Sequence, residues 1–137
     1  MLKKTITYTD YDGVERTEGF YFNLTKAEIV EMEYDIDGGI KKMLEQITEK
    51  LDGKRIMAFV KKVILKSYGE KSPDGKRFIK SEELSRAFEQ TEAYSDLFIE
   101  LVTDSKKCAD FINAITPEVA KADENTEEVA KTVEVLS

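Results

Sequence analysis

The sequence predicts a mainly α, α+β fold: a bundle of about five to six helices with a small N-terminal β-hairpin. Three observations carry this. Strict alternation of apolar and polar residues occurs only in the first two dozen positions. Apolar stripes at the helical period recur from residue 25 to 115. Four residues of the N-cap type, Thr25, Ser81, Thr91 and Asp104, stand before such stripes. The expected organisation is one globular domain over 1–117 (hairpin 3–22, helices 25–115), followed by an acidic tail, 118–137, that is weakly helical or disordered.

In the hairpin, KKTITYT sets Ile6 and Tyr8 on one face and Thr5, Thr7 and Thr9 on the other, and TEGFYFNL sets Phe20 and Phe22 against Tyr21. Asp12-Gly13 between them predicts a type I′ turn, because glycine takes positive φ without steric cost. Two strands alone are marginal, so their apolar face must rest on helices or on another sheet.

Thr25-Lys-Ala-Glu28 is a capping box, and Leu24 and Ile29 have the spacing of a hydrophobic staple. The first helix breaks between Tyr34 and Gly39. In the second, Ile40, Met43, Leu44, Ile47 and Leu51 form one stripe. Asp52-Gly53 interrupts it, with Asp52 placed to cap the third helix. That helix, RIMAFVKKVILKSY, carries Ile56, Phe59, Val60, Val63 and Ile64, with Met57 and Leu65 off the stripe. So wide an apolar face predicts a central helix contacted on several sides. Tyr68 should close it and Gly69 should supply a left-handed cap. Residues 69–80 read as a polar loop with a turn at Pro73-Asp74-Gly75.

Ser81 caps EELSRAFEQ, in which Leu84, Ala87 and Phe88 are expected inward. Thr91 restarts or continues this helix, with Ala93, Tyr94, Leu97, Phe98 and Leu101 on one face. Thr103 or Asp104 caps SKKCADFINAI, apolar at Cys108, Phe111, Ile112 and Ile115, and Thr116-Pro117 ends it. The segment 118–137 has no aromatic residue and holds six acidic residues against two lysines. Val129, Val133 and Leu136 keep a helical spacing within it, so order there calls for a partner with a groove.

Composition restricts the chemistry. The chain has no His, the commonest general base and metal ligand, and one Cys, which leaves no internal disulfide or Cys-based zinc cage. Cys108 sits at a core position. A net charge of −7 opposes nucleic-acid binding by counterion release. The local basic groups, Lys61–Lys62–Lys66 and Lys76–Arg77–Lys80, read as a solvated helix face and a solvated loop. No apolar run reaches membrane-span length, and the start MLKKTITYTD lacks a signal core. Asp10-x-Asp12-Gly13, Asp35-x-Asp37-Gly38 and Asp74-Gly75 fail the ligand pattern of a calcium loop and read as turns. Gly69-Glu-Lys-Ser72 lacks the Gly-Lys-Ser of a phosphate loop. No catalytic, cofactor or metal site is expected. Tyr68, Phe78, Tyr94 and Phe98, in or beside the polar segment, are either core anchors or a partner-binding patch.

FNLTKAEIVEME, Gly38-Gly39-Ile40, ILKSYGEKSPDGKRFIKSEELSRAFEQTEAYSDLFIEL and the FINAITP that closes the last stripe resemble the tail assembly chaperones of long-tailed phages and prophages of Gram-positive bacteria. SYGEKSPDGKRFIKS is the most specific part. The resemblance implies a non-enzymatic, mostly helical protein of the host cytoplasm that coats the tape-measure protein until tail-tube subunits polymerise around it. Such proteins often occur in two lengths, the longer made by frameshifting. The expected partners are the tape-measure protein, the tail-tube protein and further copies of the chain, through the hairpin or the third helix. A structural tail component retained in the virion and a generic helical adaptor are the alternatives.

Overall fold

The computed structural model describes residues 1–36, 38–49 and 53–117; Asp37, Leu51, the Asp52 cap and the acidic tail lie outside the described residues. The elements run β1 (Leu2–Thr9), β2 (Glu15–Phe22), α1 (Lys26–Asp35), α2 (Gly39–Glu49), α3 (Gly53–Ser67), β3 (Tyr68–Lys71), β4 (Phe78–Ile79), α4 (Glu82–Glu89), α5 (Glu92–Thr103) and α6 (Ser105–Ile115). The fold is mainly helical α+β, as the sequence predicts, but the hairpin is half of an antiparallel four-stranded sheet in the order β1-β2-β3-β4.

β1 and β2 pair from Leu2↔Phe22 to Thr9↔Glu15. The turn between them differs from the expected type. Gly13 N–H donates to the Asp10 carbonyl (3.0 Å), so Gly13, at φ +80°, is the fourth residue of the turn. The Asp10 carboxylate sets this register by accepting from the amides of Asp12 and Val14, both at 2.9 Å. An aspartate at the first turn position satisfying its own backbone outweighs the Asp-Gly pair as a central dipeptide.

The helix starts follow the local signals. Thr25 accepts from Glu28 N–H while Glu28 accepts from Thr25 N–H. Ser81, Thr91 and Asp104 cap α4, α5 and α6 by accepting from the amides of Leu84, Tyr94 and Lys107. Each such cap contributes about 1 kcal/mol. Ala87, expected inward, is exposed, because the short α4 turns only Phe88 fully into the core.

The third helix ends one residue earlier than expected, and Tyr68 opens a strand. Gly69 is a strand residue and not a left-handed cap: it pairs with Tyr21, as Tyr68 pairs with Phe22. The segment 69–80 is therefore a second hairpin rather than a loop. Ser72 to Gly75 form its turn, closed by Gly75 N–H to the Ser72 carbonyl (2.9 Å), with Gly75 at φ +73°. Like the first turn, it puts an Asp-Gly pair in the third and fourth places. Only four and two residues are paired in these strands, too few for alternation to register in the sequence.

The core lies between the sheet and the helices. α3 packs against α2, α4, α5 and α6, and α5 lies over β1. Ile56, Phe59, Val60, Val63 and Ile64 are all buried, so the main stripe of α3 is used within the molecule, while Met57 beside it is exposed. Phe22 is fully buried among the rings of Tyr68, Phe88 and Phe111, the last edge-on at 5.2 Å. Burial of such a side chain stabilises the fold by roughly 1.5–3 kcal/mol. β2 is anchored to the helical layer where it ends: Asn23 N–H donates to Ser67 carbonyl and Leu24 N–H to Ile115 carbonyl, at 2.8 and 2.9 Å.

Candidate functional site

Where β2, α4 and α5 meet, the rings form a continuous row. Tyr8 lies 6.4 Å from Phe20, and Phe20 is 6.4 Å from Tyr68 and 5.1 Å from Phe88. Tyr68 stacks on Phe88 at 4.4 Å with planes 9° apart. Tyr94 meets Phe88 edge-on at 5.8 Å and lies alongside Phe98 at 6.0 Å. Of this row only Phe88 is fully in the core; Tyr8, Phe20, Tyr68, Tyr94 and Phe98 are half-buried.

Three of the four aromatic residues singled out from the sequence, Tyr68, Tyr94 and Phe98, thus come together through Phe88. Phe78 does not join them. It sits on β4 beside Gly69, with the Lys80 ammonium 5.7 Å from its ring centroid. Sequence reasoning missed Tyr8 and Phe20 as members of the row. The signal available was their period-2 placement on the apolar face of the hairpin. Burial raises the Tyr68 and Tyr94 hydroxyl pKa values above the ordinary tyrosine range, and for Tyr94 the nearby Lys61 opposes that rise. The Tyr8 hydroxyl donates to Glu18, which raises its pKa. These rings offer contact area and a few hydrogen-bonding tips, the chemistry of a protein-binding surface.

Several of the basic groups have acidic partners within the fold. Lys61 pairs with Glu89 (3.0 Å), Lys62 with Asp35 (3.9 Å) and Lys66 with Glu31 (3.8 Å). They form ion pairs to α4 and α1 on a largely solvated face of α3. Lys80 donates to both oxygens of Glu28. Lys76 and Arg77 are exposed on the second turn.

The acidic turns hold their own backbone. The Asp74 carboxylate accepts from Ser72 Oγ and Lys76 N–H, which lowers its pKa below the usual carboxylate value. Hydrogen bonding from Arg16 lowers that of Asp10. Among the described residues no group of three acidic, cysteine or histidine side chains is placed to hold a metal ion. No described helix is long and apolar enough to cross a membrane.

Cys108 is buried, and burial pushes its thiol up to about 11. A thiol so far from its thiolate form is a packing residue rather than a nucleophile.

No curated protein and no solved structure matches the chain. A family model described as phage tail assembly chaperone matches residues 1–136, and the chain belongs to that family.

Proposed function

We propose that the protein binds the tape-measure protein of its phage and keeps it soluble in the host bacterial cytoplasm until tail-tube subunits enclose it, without catalysing a reaction. The observation that carries this reading is the family match over residues 1–136. A tape-measure protein is a long, apolar helical chain that needs cover before the tube exists. The half-buried rings Tyr68, Tyr94 and Phe98 can supply such contact with little rearrangement, while the net charge of −7 favours solubility of the complex. Phe78, on the second hairpin, is a further candidate contact, and the tail-tube protein a further partner.

Self-association through the first hairpin fits the same reading. The main apolar stripe of α3 is buried but Met57, off that stripe, is 46% exposed, and Tyr11 and Val14 at the hairpin tip are 75% and 50% exposed. Light scattering over a range of concentrations should detect a species larger than one chain; a strict monomer throughout would remove this part.

Co-expression tests the main proposal. The tape-measure protein should be recovered soluble and associated with this chain when both are made, and insoluble when made alone. Equal solubility in both cases would overturn the reading. Purified virions should lack the protein; its presence in stoichiometric amount would favour a structural tail component.

A further inference from the structure

Past the aromatic row the apolar surface runs on along the seam between α3 and α5. Tyr94, Phe98 and Val102 recur every fourth residue of α5, so they line one side of that helix for about 12 Å. All three are half-buried, and Ile99 beside them is exposed. Across the seam stands Met57 of α3, also exposed. Between Met57 and Val102 opens a cavity of about 280 Å³, floored by the buried Ile47, Ile56 and Leu101. Gly53 and Ser105, both small, leave its far end open. The seam is thus an apolar channel with a pocket at one end and the paired rings of Tyr94 and Phe98 at the other.

The two walls of the channel differ in charge. α3 carries five cations and no acid, and Lys54 and Lys61 share the face of Met57 at the i−3 and i+4 positions. Lys61 pairs with Glu89 and remains exposed. α5 carries three acids and no cation, with the exposed Asp96 one turn before Ile99. An occupant of a channel walled by two helices has to present a ridge, an apolar stripe at i, i+3, i+4 and i+7, as an amphipathic helix does. Complementarity asks for acidic residues along its flank over α3 and basic residues along its flank over α5. Turning a helix end for end exchanges its flanks, so the charge pattern also fixes the direction in which it lies. A second copy of the chain fits poorly. Its own seam is concave as well, and two concave faces leave both pockets empty. Outside the seam the exposed large apolar side chains among the described residues are Met1, Tyr11, Val14 and Tyr34, which form no helical stripe.

We propose that the α3–α5 seam is a channel for an amphipathic helix of a partner protein, acidic on the flank over α3 and basic on the flank over α5, with an apolar side chain seated between Met57 and Val102. This deepens, and rests on, the reading of the protein as a binder of the tape-measure protein. The probe is a synthetic peptide of about 18 residues, long enough to hold a helix, with a leucine stripe between a glutamate flank and a lysine flank. In an NMR titration of the full chain it should shift the amides of residues 53–61 and 94–102. A Met57→Glu/Ile99→Glu double variant changes exposed positions only; it should keep the parent's circular dichroism spectrum and bind the peptide at least about tenfold more weakly. A nitroxide at the peptide's N-terminus should broaden signals at one end of the seam, and at the opposite end when the two flanks are exchanged. Shifts confined to other surfaces, equal affinity in the variant, or broadening at the same end with both peptides would overturn the proposal. So would seam shifts produced by raising the protein concentration alone, which would assign the face to a second copy. In co-expression the double variant should also lose tape-measure protein from the soluble fraction. Full recovery with the variant would overturn the channel alone. A tape-measure protein that never associates with the parent chain would overturn the chaperone reading instead, and the peptide titration would then decide the channel.

Discussion

Lys80 and Glu28, 52 positions apart, close a clasp between the end of the second hairpin and the start of the first helix. The Lys80 ammonium donates to both Glu28 carboxylate oxygens, at 2.7 and 2.8 Å, and to the Asn23 carbonyl at 2.6 Å. Glu28 is at the same time the acceptor for Thr25 N–H in the capping box. One side chain therefore serves a local cap and a long-range tie.

Loss of the lysine should be felt both in stability and in its pH dependence. Burial pushes the Glu28 carboxyl up, but the hydrogen bonds from Lys80 and the Thr25 amide outweigh it and hold the pKa below the ordinary value. A depressed carboxylate stabilises the fold above its unfolded pKa, and that contribution is lost as pH falls through the folded pKa. Lys80→Ala should cost about 1–2 kcal/mol at neutral pH. In the variant, burial is opposed by fewer hydrogen bonds, so this loss should begin at higher pH than in the parent. Urea unfolding of both proteins across the acid range measures it; parallel curves would contradict the assignment.

The two glycines of the second hairpin should respond differently to substitution. A Cβ on Gly69 would lie 2.7 Å from the Ile79 carbonyl oxygen, a backbone atom fixed by strand pairing, and 2.7 Å from the Phe78 ring. Gly69→Ala should destabilise by about 1–3 kcal/mol through overpacking. Gly75 has open space but φ +73°, so Gly75→Ala should cost about 1 kcal/mol from backbone strain alone. Denaturant midpoints of the two variants give the comparison.

The single cysteine is a probe of the core. With its thiol buried and its pKa raised to about 11, Cys108 should resist aromatic disulfide reagents in the native protein and react at once in denaturant. Cys108→Ser, which places a hydroxyl among apolar neighbours, should cost about 1–3 kcal/mol by thermal or urea unfolding.

Within the aromatic row, stability and binding should separate. Phe88 is buried and touches four other rings, so Phe88→Ala should cost about 3–5 kcal/mol. Tyr94→Ala and Phe98→Ala remove half-exposed rings and should cost less, about 1–2 kcal/mol. If the row meets the tape-measure protein, these two variants should lower its recovery in the soluble fraction while remaining folded by circular dichroism. Undiminished recovery would move the contact elsewhere on the surface.

Features determined by neighbours in sequence were legible before the structure. The four N-caps, the helical stripes and the first hairpin rest on interactions a few residues long. What could not be read depends on distant partners. Tyr68 and Gly69 look like a helix end until Phe22 and Tyr21 are brought beside them. The solvated face carrying Lys61, Lys62 and Lys66 was legible, but their partners Glu89, Asp35 and Glu31 were not. The turn at Gly13 is an intermediate case: the glycine was evident, but which residue began the turn hinged on the Asp10 carboxylate. For the candidate surface, the aromatic residues flanking the polar segment were visible, while the connecting role of Phe88 and the membership of Tyr8 and Phe20 required the fold.

The pairing of Phe22 with Tyr68 also imposes an order on synthesis. The ribosome releases the first hairpin early, yet β2 has no second neighbour until three helices have followed, and Phe22 gains the rings of Phe88 and Phe111 later still. Phe20 and Phe22 are among the first large apolar side chains to emerge from the exit tunnel and among the last to be covered. The chain thus passes through an interval of vulnerability that ends only as its final described helix is completed.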